Sequence, residues 1–460
     1  MRQKEQISQF DKMTKTPVSR LIITLSIPTI ISMLISNIYN LVDTKFVGKL
    51  GTSASGAVGI VFGYMAILQA VGFLFGQGSG SIMSRQLGKQ NIDKASKAAS
   101  TGFAFSFVTS LVIGILSLFV LDDLVMVLGS TSTIAPYAKT YITFIIASAP
   151  FVSATFTLNN LLRYEGKAIF GMIGMMTGAI LNIGGDYILM FKLNMGIAGA
   201  GLSTAVSQVI SFCILLVPFF RHKTQCTLSI KNIELRWQPV FNIMATGFPS
   251  LLRQALNSIS TIILNTEARA YGDSAVAAMS IVSRIIFFVF AVAIGTGQGF
   301  QPVSAFNYGA GKHDRVRKAF WFTVIMSEFM MLFFTVGVYF NAETLIWKFR
   351  EDADVVLVGT RALKLQIIAQ ILLPVSMVCE MLYQSTGRKV GATILSGMRS
   401  GVLFIPSILL LSHFRGLAGI QEAQPLAFVL SFPISVLFIY IFFKKYGEKA
   451  QEEKARASLR

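Results

Sequence analysis

Five residues in the first half of this 460-residue chain have the types needed to bind a cation or carry a proton: Asp43, Tyr141, Asn182, Asp186 and Thr204. Each lies within or at the end of an apolar run. Two carboxylates brought together in a low dielectric cannot both stay ionised cheaply, so one takes a proton, or a metal ion or cationic organic molecule compensates them. The oxygens of Asp43, Asn182, Asp186 and Thr204 also suit a hard monovalent ion, which leaves proton and sodium both open. Asn182 and Asp186 are four apart and share a helix face, with Gly184 and Gly185 between them to admit a neighbouring backbone.

The elements that must position these groups are membrane helices. Hydrophobic residues make up 53% of the chain and charged ones 13%, too little charge for the surface of a soluble protein of this length. Twelve apolar spans can be read, at 20–43, 55–80, 98–120, 137–161, 168–190, 197–220, 240–265, 275–303, 319–340, 360–383, 391–412 and 420–443. At 1.5 Å per residue, Asp43 lies about 33 Å along span 1 and Asp186 about 27 Å along span 5, while Thr204 is about 13 Å into the returning span 6. All three reach one layer in the outer half of the membrane, and Tyr141, near the outer start of span 4, can join them.

The net charge of +18 sits in short loops between the spans rather than in a nucleic-acid-binding patch. Alternate loops are strongly basic, with Arg85, Lys89, Lys94 and Lys97 in one and Lys312, Arg315, Arg317 and Lys318 in another. The opposite loops carry Asp122, Asp123, Glu267 and Asp273. The positive-inside rule therefore puts the basic loops and both termini in the cytoplasm of a multi-pass cell-membrane protein.

The chain also repeats itself. Residues 28–98 match 249–319 without a gap at an offset of 221, aligning Gly76, Gln77 and Gly78 with Gly297, Gln298 and Gly299, and Pro28 with Pro249. Six spans per half give both halves one orientation, as parallel repeats. The expected organisation is an N-terminal lobe over 1–220, a cytoplasmic linker over 221–239, a C-terminal lobe over 240–443 and a basic tail over 444–460. Asp43 corresponds to Leu264, Asn182 to Leu403 and Asp186 to Ser407, so the acidic set belongs to one half only. A carboxylate within a span is a functional hypothesis by default because it is costly there.

Other charges need partners too. Arg253, Arg284, Glu328, Glu380 and Arg399 all fall inside apolar runs of the second half. They read either as Arg–Glu pairs tying that bundle together or as a second polar wall or ion site. Pro28 breaks the hydrogen-bond ladder of span 1 fifteen residues before Asp43, which predicts a bend, and a hinge if the bend responds to the ion. The glycines at 76–80 and 295–299 lie in or at the ends of apolar spans and read as close helix packing rather than nucleotide loops.

No Walker A sequence is present, and no nucleophile with a base or metal cluster shares a membrane depth, so an enzyme is disfavoured and the energy must come from an ion gradient. The histidines His222, His313 and His413 are scattered, and Cys213, Cys226 and Cys379 read as small core residues without metal spacing. No cofactor is expected beyond the coupling proton or sodium ion.

The segment Ile38, Tyr39, Asn40, Leu41, Val42, Asp43, Thr44, followed by Gly48, Lys49, Leu50 and Gly51, resembles the end of the first helix of the multidrug and toxic compound extrusion (MATE) transporters. Asn182, Asp186, Tyr141 and Thr204 resemble the cation and proton site in the N-terminal lobe of its archaeal and bacterial members. The resemblance covers all twelve spans and is nearest the bacterial multidrug efflux branch. It implies an all-α, V-shaped pair of six-helix lobes, here expected as a monomer, that exports amphipathic, often cationic compounds against protons or sodium by alternating access. Members with a sodium site in the C-terminal lobe carry a carboxylate near the place of Asn257, and this chain has none there. A flippase for lipid-linked saccharides is the alternative within the broader superfamily.

Overall fold

The computed structural model describes the backbone of residues 2–458 and the side chains of 9–39 and 41–444; of the basic tail expected over 444–460, only the Lys444 side chain lies within the described residues. The described secondary structure is helical throughout. In chain order the α-helices are α1 (Arg2–Lys15), α2 (Val18–Gly48), α3 (Thr52–Gly88), α4 (Ile92–Phe119), α5 (Leu121–Val127), α6 (Ala135–Tyr164), α7 (Ala168–Asp186), α8 (Gly196–Phe220) and α9 (Trp237–Arg269). The second half continues with α10 (Asp273–Gly309), α11 (His313–Phe340), α12 (Ala342–Phe349), α13 (Ala353–Ala369), α14 (Leu373–Ser385), α15 (Lys389–Gly397), α16 (Phe404–Arg415) and α17 (Leu417–Ser458).

Among the described residues, 11 helical segments are long and apolar enough to cross a membrane, which makes this a multi-pass membrane protein. α9 is also long, at 33 residues, but Arg253, Gln254, Asn257, Asn265 and Glu267 dilute its apolar character. Two spans contain π-helical turns, Tyr187–Lys192 directly after Asp186 and Met398–Leu403 between α15 and α16. Such turns insert a residue into the helix and often mark functional positions.

The chain divides into two compact units, residues 1–10 with 27–251 and residues 11–26 with 252–460. α2 and α9 each contribute to both, changing membership beside Pro28 and Pro249.

In the first unit the glycines of α3 are packing residues. A Cβ on Gly72 would lie 2.7 Å from Phe156 of α6, one on Gly76 3.0 Å from Asn160, and one on Gly80 would run into the Tyr164 ring. At this close approach the polar groups of α6 reach α3: Ser153 Oγ donates to the Leu68 carbonyl at 2.7 Å and the Tyr164 hydroxyl to Gln77 Oε1 at 2.9 Å. Gly78 faces the Ile243 carbonyl of α9, so the two backbones cross in contact. In the second unit the repeat-equivalent Gly299 of α10 meets the backbone of Ser26, whose Oγ donates to the Thr296 carbonyl at 3.3 Å.

The loop after α8 is bound to the first unit rather than free. Ser96, Ser100 and Thr101, on one side of α4, accept from the backbone N–H groups of Thr227, Ser229 and Glu234 at 3.1, 3.2 and 2.9 Å. Glu165, fully buried just past α6, accepts from the Gln225 N–H and faces Lys167 at 3.5 Å. Burial outweighs these favourable contacts and pushes its carboxyl up to about 7. Cys226 and Cys379 are buried, but Cys213 is exposed on α8, contrary to the expectation that it fills the core. A small apolar side chain is at home facing lipid as well as protein.

Candidate functional site

The five first-half residues come from four helices of the first unit: Asp43 from α2, Tyr141 from α6, Asn182 and Asp186 from the end of α7, and Thr204 from α8. All are buried, Asp43 the least so at 8% exposure. Asn182 joins α7 to α8, its Nδ2 donating to Thr204 Oγ1 at 3.1 Å, with longer contacts to Asp186 Oδ1 at 3.4 Å and Ser203 Oγ at 3.5 Å. Ser203 Oγ returns a hydrogen bond to the Asn182 carbonyl at 2.9 Å, and Thr204 Oγ1 donates to the Ala200 carbonyl. Of the two glycines between the acidic-site residues, only Gly185 is a close-approach position, since its Cβ would lie 2.5 Å from Ser203 Oγ. Gly184 faces open space.

Asp43 and Asp186 are near enough for each carboxyl group to act electrostatically on the other. Yet Asp43 Oδ1, Asp186 Oδ2 and Asn182 Oδ1 receive no hydrogen bond from any described donor. Buried acceptors in that state are expensive, and a proton or a cation would satisfy them. Beside them is a small cavity of about 20 Å³ lined by Tyr39, Asn182, Thr204 and Gln208, enough for one water-sized occupant. Among the described residues, no group of three or more His, Cys, Asp or Glu is placed to hold a metal.

Two site residues escape a reading of sequence. Tyr39 acts electrostatically on both carboxylates and lines the cavity; its one signal is a place one helical turn before Asp43. Ser203 looks like any serine in an apolar helix until its bond to Asn182 is seen.

α2 runs unbroken through Pro28, with Ser32 Oγ donating to the Pro28 carbonyl at 2.8 Å and Ser36 Oγ to the Ser32 carbonyl at 2.9 Å. These hydroxyls add bonds to a ladder from which the proline has removed one donor. In the second unit Arg253 and Glu380 form a buried ion pair at 2.5 Å. Arg284 is exposed and Glu328 half-buried, and neither has an ion-pair partner among the described residues. Arg399 is buried between Phe290 and Phe428, with no hydrogen-bond acceptor among the described residues.

A twice-repeated membrane bundle in which one repeat alone buries a pair of carboxylates, Asp43 and Asp186, with no cationic partner among the described residues is the build of an ion-driven secondary transporter rather than of an enzyme. The MatE family model matches residues 28–188 and again 249–410, the two copies of the repeat. The chain belongs to this family, the multidrug and toxic compound extrusion transporters, whose members run on proton or sodium gradients. It is 28% identical over 442 residues to the multidrug export protein MepA of Staphylococcus saprophyticus, covering 95% of this chain and 96% of the relative. Among solved structures it is similar to a MATE protein in complex with MaL6, with a TM-score of 0.90, 23% identity and coverage of 95% of this chain and 99% of that one. A MATE protein in a bent conformation gives the same TM-score at 22% identity, covering 96% of this chain and 99% of that one.

Proposed function

We propose that this protein exports amphipathic, often cationic organic compounds from the cytoplasm in exchange for inward-moving protons or sodium ions, with Asp43 and Asp186 as the coupling pair. The observation that carries this reading is the pair itself: two buried carboxyl groups that act electrostatically on each other, each with an oxygen that no described donor satisfies. Empty, the site is short of positive charge; a bound proton, sodium ion or cationic substrate each supplies it. Binding of one therefore disfavours binding of another, which is the requirement for exchange, and alternation follows if the two conformations differ in affinity for them. Asn182 and Thr204 hold the two helix ends together around the pair, and Tyr141 and Tyr39 close it from solvent. The family's multidrug export relative supports the substrate class.

The same reading counts α9 as the twelfth span, six to each half, its polar residues being tolerable because they face protein. It puts both termini in the cytoplasm, as the basic loops require, and treats the protein as a working monomer in the cell membrane. Pro28 is the natural hinge of α2, where a backbone donor is already missing on the helix that carries Asp43. The saccharide flippase alternative has no support among the relatives.

The test is efflux of a cationic dye from liposomes containing the full chain, under an imposed proton gradient and then a sodium gradient, for wild type and Asp43→Asn. Gradient-driven export that vanishes in the variant supports the site, and the gradient that works names the ion. Export that persists in Asp43→Asn sinks the site assignment.

A further inference from the structure

The second unit contains a cavity of about 160 Å³ that the acidic site does not use. It occupies the repeat-equivalent place. Ser260, Arg399 and Ser400 line it, and an offset of 221 maps them onto Tyr39, Gly178 and Ala179, which line the small cavity beside Asn182. The sixth span of each half is in register at 220, as the positive-φ turn glycines Gly196 and Gly416 show, and there Gln424 maps onto Thr204. The duplicated scaffold thus builds a polar cavity at the same place in both units; Arg399 lines the second, whereas the first has no charged lining and the acidic pair stands beside it. Where the first unit has Asp43 the second has Leu264, and where the first has Gly178 the second has Arg399.

Arg399 projects from the π-helical turn Met398–Leu403 and is 7% exposed. Among the described residues it makes no hydrogen bond and no ion pair; its neighbours are the rings of Phe290 and Phe428, 5.3 and 5.9 Å from the guanidinium carbon. Glu380, whose charge it feels, is already held by Arg253. Two guanidiniums therefore share one carboxylate, leaving an uncompensated positive charge with its donors unused. Buried charges are normally paired, so the missing partner is the anomaly. A second unused group faces the same space: Gln370 Oε1 is buried without a donor, and because an amide can turn, it offers either an acceptor or two N–H groups.

We propose that this cavity binds a small aromatic carboxylate. The carboxylate would lie on the Arg399 fork, the side chain best shaped for it, with the Gln370 amide as a second donor. The ring would pack among Phe290, Phe428 and their apolar neighbours. The volume is close to that of an engineered cavity known to hold benzene, which fits one ring rather than a fused system. This is a site for an anion, separate from the cation-binding role given to Asp43 and Asp186.

Binding of 4-fluorobenzoate to the detergent-solubilised full chain, read by ¹⁹F line broadening at neutral pH with neutral 4-fluorobenzamide as comparator, tests it without reference to transport. In wild type the anion binds at least about tenfold more tightly than the amide, and Arg399→Gln removes that preference. Phe428→Leu weakens both probes and leaves the preference in place. Leu264→Glu puts a carboxylate into the same cavity and excludes the anion, which keeps the test available if Arg399→Gln does not fold. Asp43→Asn, which removes a residue of the coupling pair and with it export, leaves this anion preference as it is in wild type. The proposal is overturned if wild type shows no preference for the anion, if the preference survives Arg399→Gln or Leu264→Glu, or if Asp43→Asn abolishes it.

Discussion

The acidic site of the first unit and the basic cavity of the second stand at matching places in a duplicated scaffold, and they fail to satisfy their polar groups in opposite ways. Around Asn182 the unsatisfied atoms are acceptor oxygens beside two carboxyl groups; in the second cavity the Gln370 oxygen also lacks a donor, but the surplus charge is a guanidinium whose donors have no acceptor among the described residues. The comparison separates what the backbone provides from what side chains provide. The duplicated helices place a polar pocket near the end of the first span of each half, and substitutions at a few aligned positions, Asp43 against Leu264 and Gly178 against Arg399, set the sign of the charge it welcomes.

The largest expected effect breaks the comparison from the acidic side. Asp186→Asn should abolish gradient-driven dye efflux in proteoliposomes as Asp43→Asn does, and adding Leu264→Asp to Asp43→Asn should not restore it, because the second half has Leu403 where the first has Asn182. Restoration would mean that the two sites are interchangeable. Next comes Glu380→Gln, which strands Arg253 beside Arg399 and should cost about 3–5 kcal/mol of stability in detergent unfolding, the usual result of breaking a buried pair from one side. An unchanged unfolding midpoint would show that Arg253 finds another partner.

A smaller effect concerns Glu165, whose aligned residue in the second half is Thr386. The folded chain holds a proton there up to about pH 7, whereas the ordinary value is 4.5, so stability falls as pH rises across that interval. At about 1.4 kcal/mol per unit the loss is at most about 3.5 kcal/mol. Glu165→Gln should flatten the dependence of the unfolding midpoint on pH between 5 and 7.5, and an identical slope in the variant would refute this. The smallest is Gly80→Ala, which crowds the Tyr164 ring and should cost about 1–3 kcal/mol; its counterpart Gln301 already fills the same place in the second half, bonded to Gln384 at 3.0 Å.

How much of this is legible from sequence follows from cost and distance. The membrane class, the family and the packing role of the glycines at 76–80 can be read directly, because apolar length, gapless repetition and small residues at helical spacing are local signals. The acidic residues stand out because an intramembrane carboxylate is costly wherever it occurs. Tyr39 does not, since a tyrosine in an apolar helix costs little and has no tell-tale pattern. The Arg253–Glu380 pair joins residues 127 apart in sequence, and no spacing rule selects Glu380 over Glu328. The π-helical turns at Tyr187–Lys192 and Met398–Leu403 depend on how each helix meets its neighbours, and nothing in their composition announces them. α9 shows the converse, a segment that sequence periodicity marks as a span but whose polar residues hide it from a measure of length and hydropathy alone.

The crossings at Gly78 and Gly299 bear on how such a molecule can be assembled and how it could have arisen. Each unit seats, on the second helix of its own half, the opening stretch of the other half's first helix, Ile243 against Gly78 and Ser26 against Gly299, and a single copy of the repeat cannot supply that stretch to itself. A polypeptide of half the length would expose the groove at Gly78 and would leave its own leading segment without a seat. It could complete the fold only by exchanging that segment with a second copy, as domain-swapped dimers do. Fusion of the two copies turns the exchange into an intramolecular event, and once fused, each half was free to lose or gain charge at the aligned pocket without its twin following.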